Sequence, residues 1–164
     1  MFALTDTAAD FEHMNTYAEK HGEETVNGLA LKFGVVQPMV ALDAFAPGLL
    51  SSVYQKDGLR FPDLGPLRWK RELVGATVSI ESDDLLGERN VQFDLATVDK
   101  FVLEAQEGGS VAISFRVKVK PTPEQVAVLY QLQHTEVTLT IDPAWAEDQP
   151  AGGDLLDGSA EEDA

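Results

Sequence analysis

The sequence contains no cysteine, and it has few basic residues for its length. The lack of cysteine excludes a disulfide framework, cysteine-ligated zinc, an iron–sulfur cluster and a thiol nucleophile. Lys and Arg number 12 against 28 Asp and Glu, which gives a net charge of −16. Because affinity for phosphates comes from clustered Lys and Arg, this balance argues against general nucleic-acid binding.

Long apolar runs are missing as well. No stretch approaches the roughly 20 apolar residues that span a bilayer, and residues 1–6 lack the basic region and apolar run of a secretory signal. The hydrophobic fraction of 44% over 164 residues is typical of one globular domain. We therefore expect a soluble protein that acts in the cytoplasm and has no membrane partner.

Alternating apolar residues predict strands over 25–36, 73–81, 91–105, 111–119 and 137–141. Helical segments are expected within 38–54 and 122–134. In the second segment Thr122 is a suitable N-cap, Pro123 suits the first helical position, and Gln125 completes a capping box. The sequence thus predicts an α+β fold: a mainly antiparallel, twisted sheet of about six strands, with two helical segments on one face.

The loop at residues 107–109 predicts a hairpin whose register depends on loop length. A two-residue loop would set apolar residues of one strand against polar residues of the other. A three-residue loop places Leu103 opposite Ile113 and Phe101 opposite Phe115. Since this register keeps one face apolar, we predict the three-residue loop.

Charge and composition divide the chain near residue 142. We predict a single domain over 1–142, in which residues 1–22 form a loosely ordered arm, followed by a disordered acidic tail over 143–164. Seven of the acids and none of the bases lie in that tail. The tail is either a solubilising extension or an interaction arm.

No pattern in the sequence indicates catalysis, a cofactor or a metal. His13, His21 and His134 do not share a metal-ligand spacing. The carboxylates of 81–88 lack the alternation of a calcium loop. Neither a phosphate-binding loop nor a serine-hydrolase elbow is present. We predict a non-enzymatic protein without a cofactor.

Two groups of charged residues remain as candidate interaction sites. The first is a basic face: alternation along one strand places Arg116, Lys118 and Lys120 on the same side of the sheet. We expect Lys100 of the neighbouring strand to point the same way, and Arg68, Lys70 and Arg71 of the basic segment 56–72 to extend the surface. It is either an ordinary exposed sheet face or a binding face for a phosphate backbone or an acidic segment, including this protein's own tail. The second is an acidic set: Glu81, Asp83, Asp84, Glu88, Glu147, Asp148, Asp154, Asp157, Glu161, Glu162 and Asp163.

Four segments resemble small acidic proteins of tailed phages and prophages. They are 59–69 (LRFPDLGPLRW), 98–101 (VDKF), 105–111 (AQEGGSV) and 21–24 (HGEE), and the likeness covers most of residues 17–142. The resemblance carries over no catalytic residues. It implies a bacterial host cytoplasm, where such non-enzymatic proteins assist DNA replication and recombination or block host defence.

These observations favour one function over two others. The leading hypothesis is an accessory protein whose negative surface, resembling that of DNA, engages a nucleic-acid-processing or defence protein. The alternative is a module that binds single-stranded nucleic acid on the basic face. The third is a structural component of the virion. The sequence does not indicate the oligomeric state.

Overall fold

The computed structural model of the chain describes residues 1–84 and 87–151. The strands are β1 (Leu4–His21), β2 (Glu24–Pro38), β3 (Tyr54–Gln55), β4 (Gly58–Leu59), β5 (Leu67–Trp69), β6 (Arg71–Asp84), β7 (Gly87–Ala105), β8 (Ser110–Val119), β9 (Glu136–Asp142) and β10 (Glu147–Pro150). The helical segments are a 3₁₀ helix (Met39–Ala44), α1 (Leu49–Val53) and α2 (Pro123–Leu132). No helix in this part of the chain is long and apolar enough to cross a membrane.

Eight strands form one antiparallel sheet, so the predicted number of about six is too low. Their order is β10–β6–β9–β1–β2–β8–β7–β5, and β6 also pairs with β7. The long strand β6 pairs with β7, β9 and β10, and the long strand β7 pairs with β5, β6 and β8. Register shifts along both strands mark bulges, at which a strand bends. The mainly antiparallel sheet predicted from the sequence is confirmed.

The two ends of the chain contain strands that the sequence did not predict. Leu4–His21, within the expected loose arm, forms the 18-residue strand β1. The expected tail, 143–164, contains β10, whose four residues pair with β6, and residues 152–164 lie outside the described part. Between the predicted strands 73–81 and 91–105, the chain continues as the end of the β6–β7 hairpin, which pairs as far as Asp84 and Gly87.

The β7–β8 hairpin has the predicted three-residue loop. Leu103 lies opposite Ile113, and Gly109 has the left-handed φ of 87° that such a loop requires. A bulge between Asp99 and Val102 shifts the register further along, so Phe101 and Phe115 are not direct cross-strand partners. Their rings nevertheless remain in contact, with centroids 6.0 Å apart.

The second predicted helix has the expected N-terminus. The Thr122 hydroxyl accepts a hydrogen bond from the Gln125 backbone N–H at 3.2 Å, and the Gln125 side chain accepts one from the Thr122 N–H at 2.9 Å. This capping box satisfies two donors that the first turn would leave without partners. The first predicted helical segment is confirmed as the 3₁₀ helix together with α1.

Apolar side chains from both halves of the sheet meet in one core. At its centre each of the rings of Phe2, Phe45, Phe101 and Phe115 lies within 6.0 Å of at least two of the others, in edge or tilted contacts. Phe33 stacks on Phe115 and continues the cluster toward β1. Because these side chains alternate with outward-facing residues on β2, β7 and β8, the polar side chains of these strands lie mainly on the opposite face of the sheet.

Candidate interaction site on the outer face of the sheet

Four neighbouring strands, β1, β2, β8 and β7, present their outward side chains on one surface, which we call the outer face. On β8 the residues Val111, Ile113, Phe115, Val117 and Val119 are buried, and the residues between them face outward. The predicted row Arg116–Lys118–Lys120 therefore lies on the outer face. Its surroundings, however, come from strands distant in the sequence.

Arg116 is held by a buried carboxylate. It lies directly opposite Asp99 of β7, and its Nε and one terminal nitrogen donate to the two carboxylate oxygens at 2.8 and 2.6 Å. Asp99 is 1% exposed. A bidentate ion pair of this kind fixes the guanidinium in position. It also neutralises the Asp99 carboxylate, whose charge would be costly to bury alone.

Lys118 packs on the ring of Tyr17. Its Nζ lies 5.4 Å from the ring centroid, a cation–π contact. Tyr17 can lie flat here because its cross-strand neighbour is Gly28. A Cβ at Gly28 would stand only 2.5 Å from the ring. Burial under these contacts raises the pKa of the Tyr17 hydroxyl above its ordinary value.

Lys120 pairs with Glu19 of β1 across the end of β2. The Nζ donates to Glu19 Oε1 at 3.1 Å, and His21 Nε2 lies 3.3 Å from the same oxygen. Partial burial tends to raise the pKa of Glu19, but the hydrogen bonds from Lys120 and His21 outweigh it and lower that pKa. The hydrogen bond to Glu19 raises the pKa of Lys120.

The remaining predicted basic residues lie elsewhere. Arg68 and Lys70 are exposed at β5 and just after it, and Arg71 donates from Nε to Asp148 of β10 at 2.8 Å. Lys100 is exposed in the β7 bulge with a φ of 57°. Three of the seven residues predicted for the basic face thus form the outer-face row, and the Arg71 side chain pairs instead with β10.

The predicted acidic residues are also divided. Glu81, Asp83, Asp84 and Glu88 are exposed toward the end of the β6–β7 hairpin, where Asp84 pairs with Arg89. Glu147 and Asp148 are exposed on the edge strand β10. Asp154, Asp157, Glu161, Glu162 and Asp163 lie outside the described residues.

A groove at the other end of the outer face was not predicted. It has a volume of about 450 Å³, which is within the roughly 300–1,000 Å³ of typical ligand sites. The floor consists of small or apolar outward residues, Gly34, Val36, Val102, Ala112 and Ser114. The exposed side chains of four acids line it: Asp10, Glu12, Glu104 and Glu136.

Strand register places three of these acids at one end of the groove. Asp10 of β1 lies opposite Glu136 of β9 on one side and opposite Gly34 of β2 on the other. The bulge of β1 between Phe11 and His13 brings Glu12 over Gly34, where a Cβ would stand 2.8 Å from the carboxylate. Like charges directly opposite one another are destabilising.

Glu104 stands at the other end, on β7. It lies opposite Ala112 of β8, which in turn lies opposite Val36 of β2. Within the described residues, no ion pair joins any of the four groove acids to a base. The same outer face therefore carries a basic row matched by internal partners and an acidic groove without them.

The sequence contains a weak signal for this groove. Three outward positions on the central strands, Gly34, Ala112 and Ser114, carry residues too small to cover the sheet, and Val36 is 62% exposed. The four acids lie on β1, β7 and β9, and only the strand order brings them together. Local patterns do not contain that order.

Chemically, the groove offers negative charge and an apolar floor. Among the residues that the structure describes, no group of three or more His, Asp or Glu side chains is placed to hold a metal ion. Comparison of the chain with protein-family models, curated proteins and solved structures finds no match. The resemblance to phage proteins and the function that it implies stay predictions.

Proposed function

We propose that this protein binds a protein partner, and that the groove of the outer face receives a basic segment of that partner. The observation that carries this proposal is the set of four acids around the groove, none of which forms an ion pair with a base among the described residues. Asp10 opposite Glu136 costs stability in the isolated chain. A bound cationic side chain removes that cost, so charge complementarity favours a basic partner.

The partner proposed here is of the class expected from the sequence, a nucleic-acid-processing or defence protein, but the contact is a groove and not an extended surface that resembles DNA. A nucleic-acid-processing or defence protein carries the exposed Lys and Arg that such a site selects, because those side chains contact phosphates. The acidic surface is concave here, so it suits a protruding basic segment. The expected cytoplasmic setting is compatible with such a partner.

Binding of single-stranded nucleic acid on the basic face ranks second. Arg116 and Lys120 each form an ion pair with an acid of this chain, so a phosphate would have to displace Asp99 or Glu19. Nearby groove acids would also repel the phosphate backbone. A virion role has no particular observation in its favour.

A titration with two matched variants tests the proposal. The probe is a fluorescent tetralysine peptide, added to the full chain at low salt and followed by anisotropy. The groove variant is Asp10→Asn with Glu136→Gln. The control is Glu81→Gln with Glu88→Gln, which removes the same charge from the β6–β7 hairpin.

We expect the groove variant to bind the peptide about fivefold more weakly, because it loses two exposed charge contacts, each of which contributes up to about 1 kcal/mol. The control should bind like the unmodified chain, and added salt should weaken binding. Equal binding by both variants would place the contact elsewhere. Tight binding of a single-stranded oligonucleotide instead of the peptide would favour the second candidate.

A further inference from the structure

The shape of the groove restricts the segment that can occupy it. The acids stand at its two ends, with Asp10, Glu12 and Glu136 on the β9–β1 side and Glu104 on β7. Between them lies a floor that carries no charge. The ligand should therefore hold two positive charges apart rather than concentrate them.

Strand spacing gives the distance between the two ends. From β1 to β7 the sheet crosses β2 and β8, which makes three strand intervals. At about 4.8 Å for each interval, the backbones of Asp10 and Glu104 are separated across the sheet by roughly 14 Å. Because Asp10 lies in the row of Val102, two residues before Glu104, their full separation is roughly 16 Å. An extended peptide advances about 3.3 Å per residue, so four residues span roughly 13 Å, and the long side chains of the two cations cover the remainder.

The floor determines what can lie between the two charges. Gly34, Ala112 and Ser114 leave little side chain above the sheet, and Val36 and Val102 add apolar surface. Polar or bulky residues would lose hydration without a partner here, whereas small apolar residues would cover the valines. The floor thus favours small or apolar residues.

We infer that the groove selects an extended basic segment of the pattern Lys-x-x-x-Lys or Arg-x-x-x-Arg, in which x is small or apolar. One cation contacts Asp10, Glu12 and Glu136, and the other contacts Glu104. This inference rests on the proposed function and deepens it, because it specifies the spacing of the charges as well as their sign. The segment lies across the strands and adds no strand to the sheet.

Peptide isomers test the spacing. The probes have one composition: Gly-Lys-Ala-Val-Ala-Lys-Gly, with lysines four residues apart, and Gly-Lys-Lys-Ala-Val-Ala-Gly, with adjacent lysines. We expect the spaced isomer to bind the full chain about threefold to fivefold more tightly. It gains one further exposed charge contact, and such contacts contribute up to about 1 kcal/mol.

The variant Glu104→Gln should abolish this preference. It should weaken the spaced isomer to the level of the adjacent isomer and leave the adjacent isomer unchanged, which is the coupling that a double-mutant cycle measures. Glu88→Gln removes the same charge outside the groove and should leave the preference intact.

The outcomes separate this inference from the function on which it rests. If both isomers bind equally, and Glu104→Gln weakens both or neither, the spacing rule is overturned while a basic partner remains. If neither isomer nor tetralysine binds at low salt, both proposals are overturned. A preference for the spaced isomer that persists in Glu104→Gln would also overturn the assignment of the second contact.

Discussion

The outer face of this sheet has two halves that use charge in opposite ways. Toward the end of β8, Arg116, Lys118 and Lys120 are matched by an acid, an aromatic ring and a second acid from this chain. Toward its beginning, the acids around Gly34 are left without a base among the described residues. Charge on a face is thus by itself a poor guide to a binding site, and the proposed function rests instead on charge that is left without an internal partner.

The first half should respond most strongly to the loss of Arg116. The change Arg116→Ala leaves the Asp99 carboxylate buried without its two-pronged partner. Breaking such a pair from one side costs about 3–5 kcal/mol of the free energy of unfolding, which urea denaturation measures. The exposed Arg68 is the control, and Arg68→Ala should change stability by less than about 0.5 kcal/mol. A loss below about 1 kcal/mol in Arg116→Ala would contradict the view that the pair is structural.

Two glycines of β2 allow the halves to be compared with one kind of substitution. Gly28→Ala would displace the Tyr17 ring from its position over residue 28, since the new Cβ would lie 2.5 Å from the ring. We expect a loss of about 1–2 kcal/mol. Gly34→Ala only displaces the flexible carboxylate end of Glu12, and the methyl group reduces the freedom of the unfolded chain. Its stability should rise slightly or stay unchanged.

Thermal melting of both variants at neutral pH measures the difference. Equal losses would mean that Glu12 is held as firmly as Tyr17. The groove would then be a packed part of the fold, and its readiness to accept a ligand would be in doubt.

Much of the fold was predictable where the determinants are local. The capping box at Thr122 and the loop at Gly109 depend on residues within a few positions, and both are confirmed. The N-terminal part of β1 was missed because a bulge at Phe11 breaks its alternation. Its distal part, beyond Thr16, extends past the last residue of β8 that pairs with β2, and most of its residues are polar.

The candidate site was less predictable because it depends on strand pairing between residues that are distant in the sequence. Alternation correctly predicted that Arg116 and Lys118 share a face, but Asp99 and Tyr17 become their neighbours only through strand pairing. β10 was missed because its sequence Glu-Asp-Gln-Pro has no apolar residue, and an edge strand tolerates that composition. The two halves differ because the basic residues of the first half have partners on other strands, whereas the groove acids form no ion pair among the described residues.

Alkaline pH should weaken the first half more than the second. Burial raises the pKa of Tyr17 above its ordinary value of about 10, and the bond to Glu19 raises that of Lys120. A raised folded pKa gives stability that is complete below the unfolded value and is lost as pH rises through the folded value. Stability should therefore hold to about pH 10 and decline above it. Because the Lys120 pair is exposed, the decline is smaller than the losses above.

The double variant Tyr17→Phe with Lys120→Gln isolates this contribution, because it retains the ring over Gly28 and removes both titrating groups. Urea unfolding at several pH values from 8 to 11 should show a shallower alkaline decline in the variant than in the unmodified chain. Parallel declines would assign the loss to other groups.

The smallest effect on stability, and one of the opposite sign, is expected in the groove. Asp10→Asn with Glu136→Gln removes two like charges that lie directly opposite each other on the adjacent strands β1 and β9. Since such pairs destabilise by a few tenths of a kcal/mol, the free energy of unfolding should stay equal or rise by up to about 0.5 kcal/mol. Glu19→Gln is the matched change in the first half, and it should lower stability because it removes the partner of Lys120. A clear loss in the groove variant would mean that these acids maintain the fold, and the two halves would no longer differ in the way that the proposed function requires.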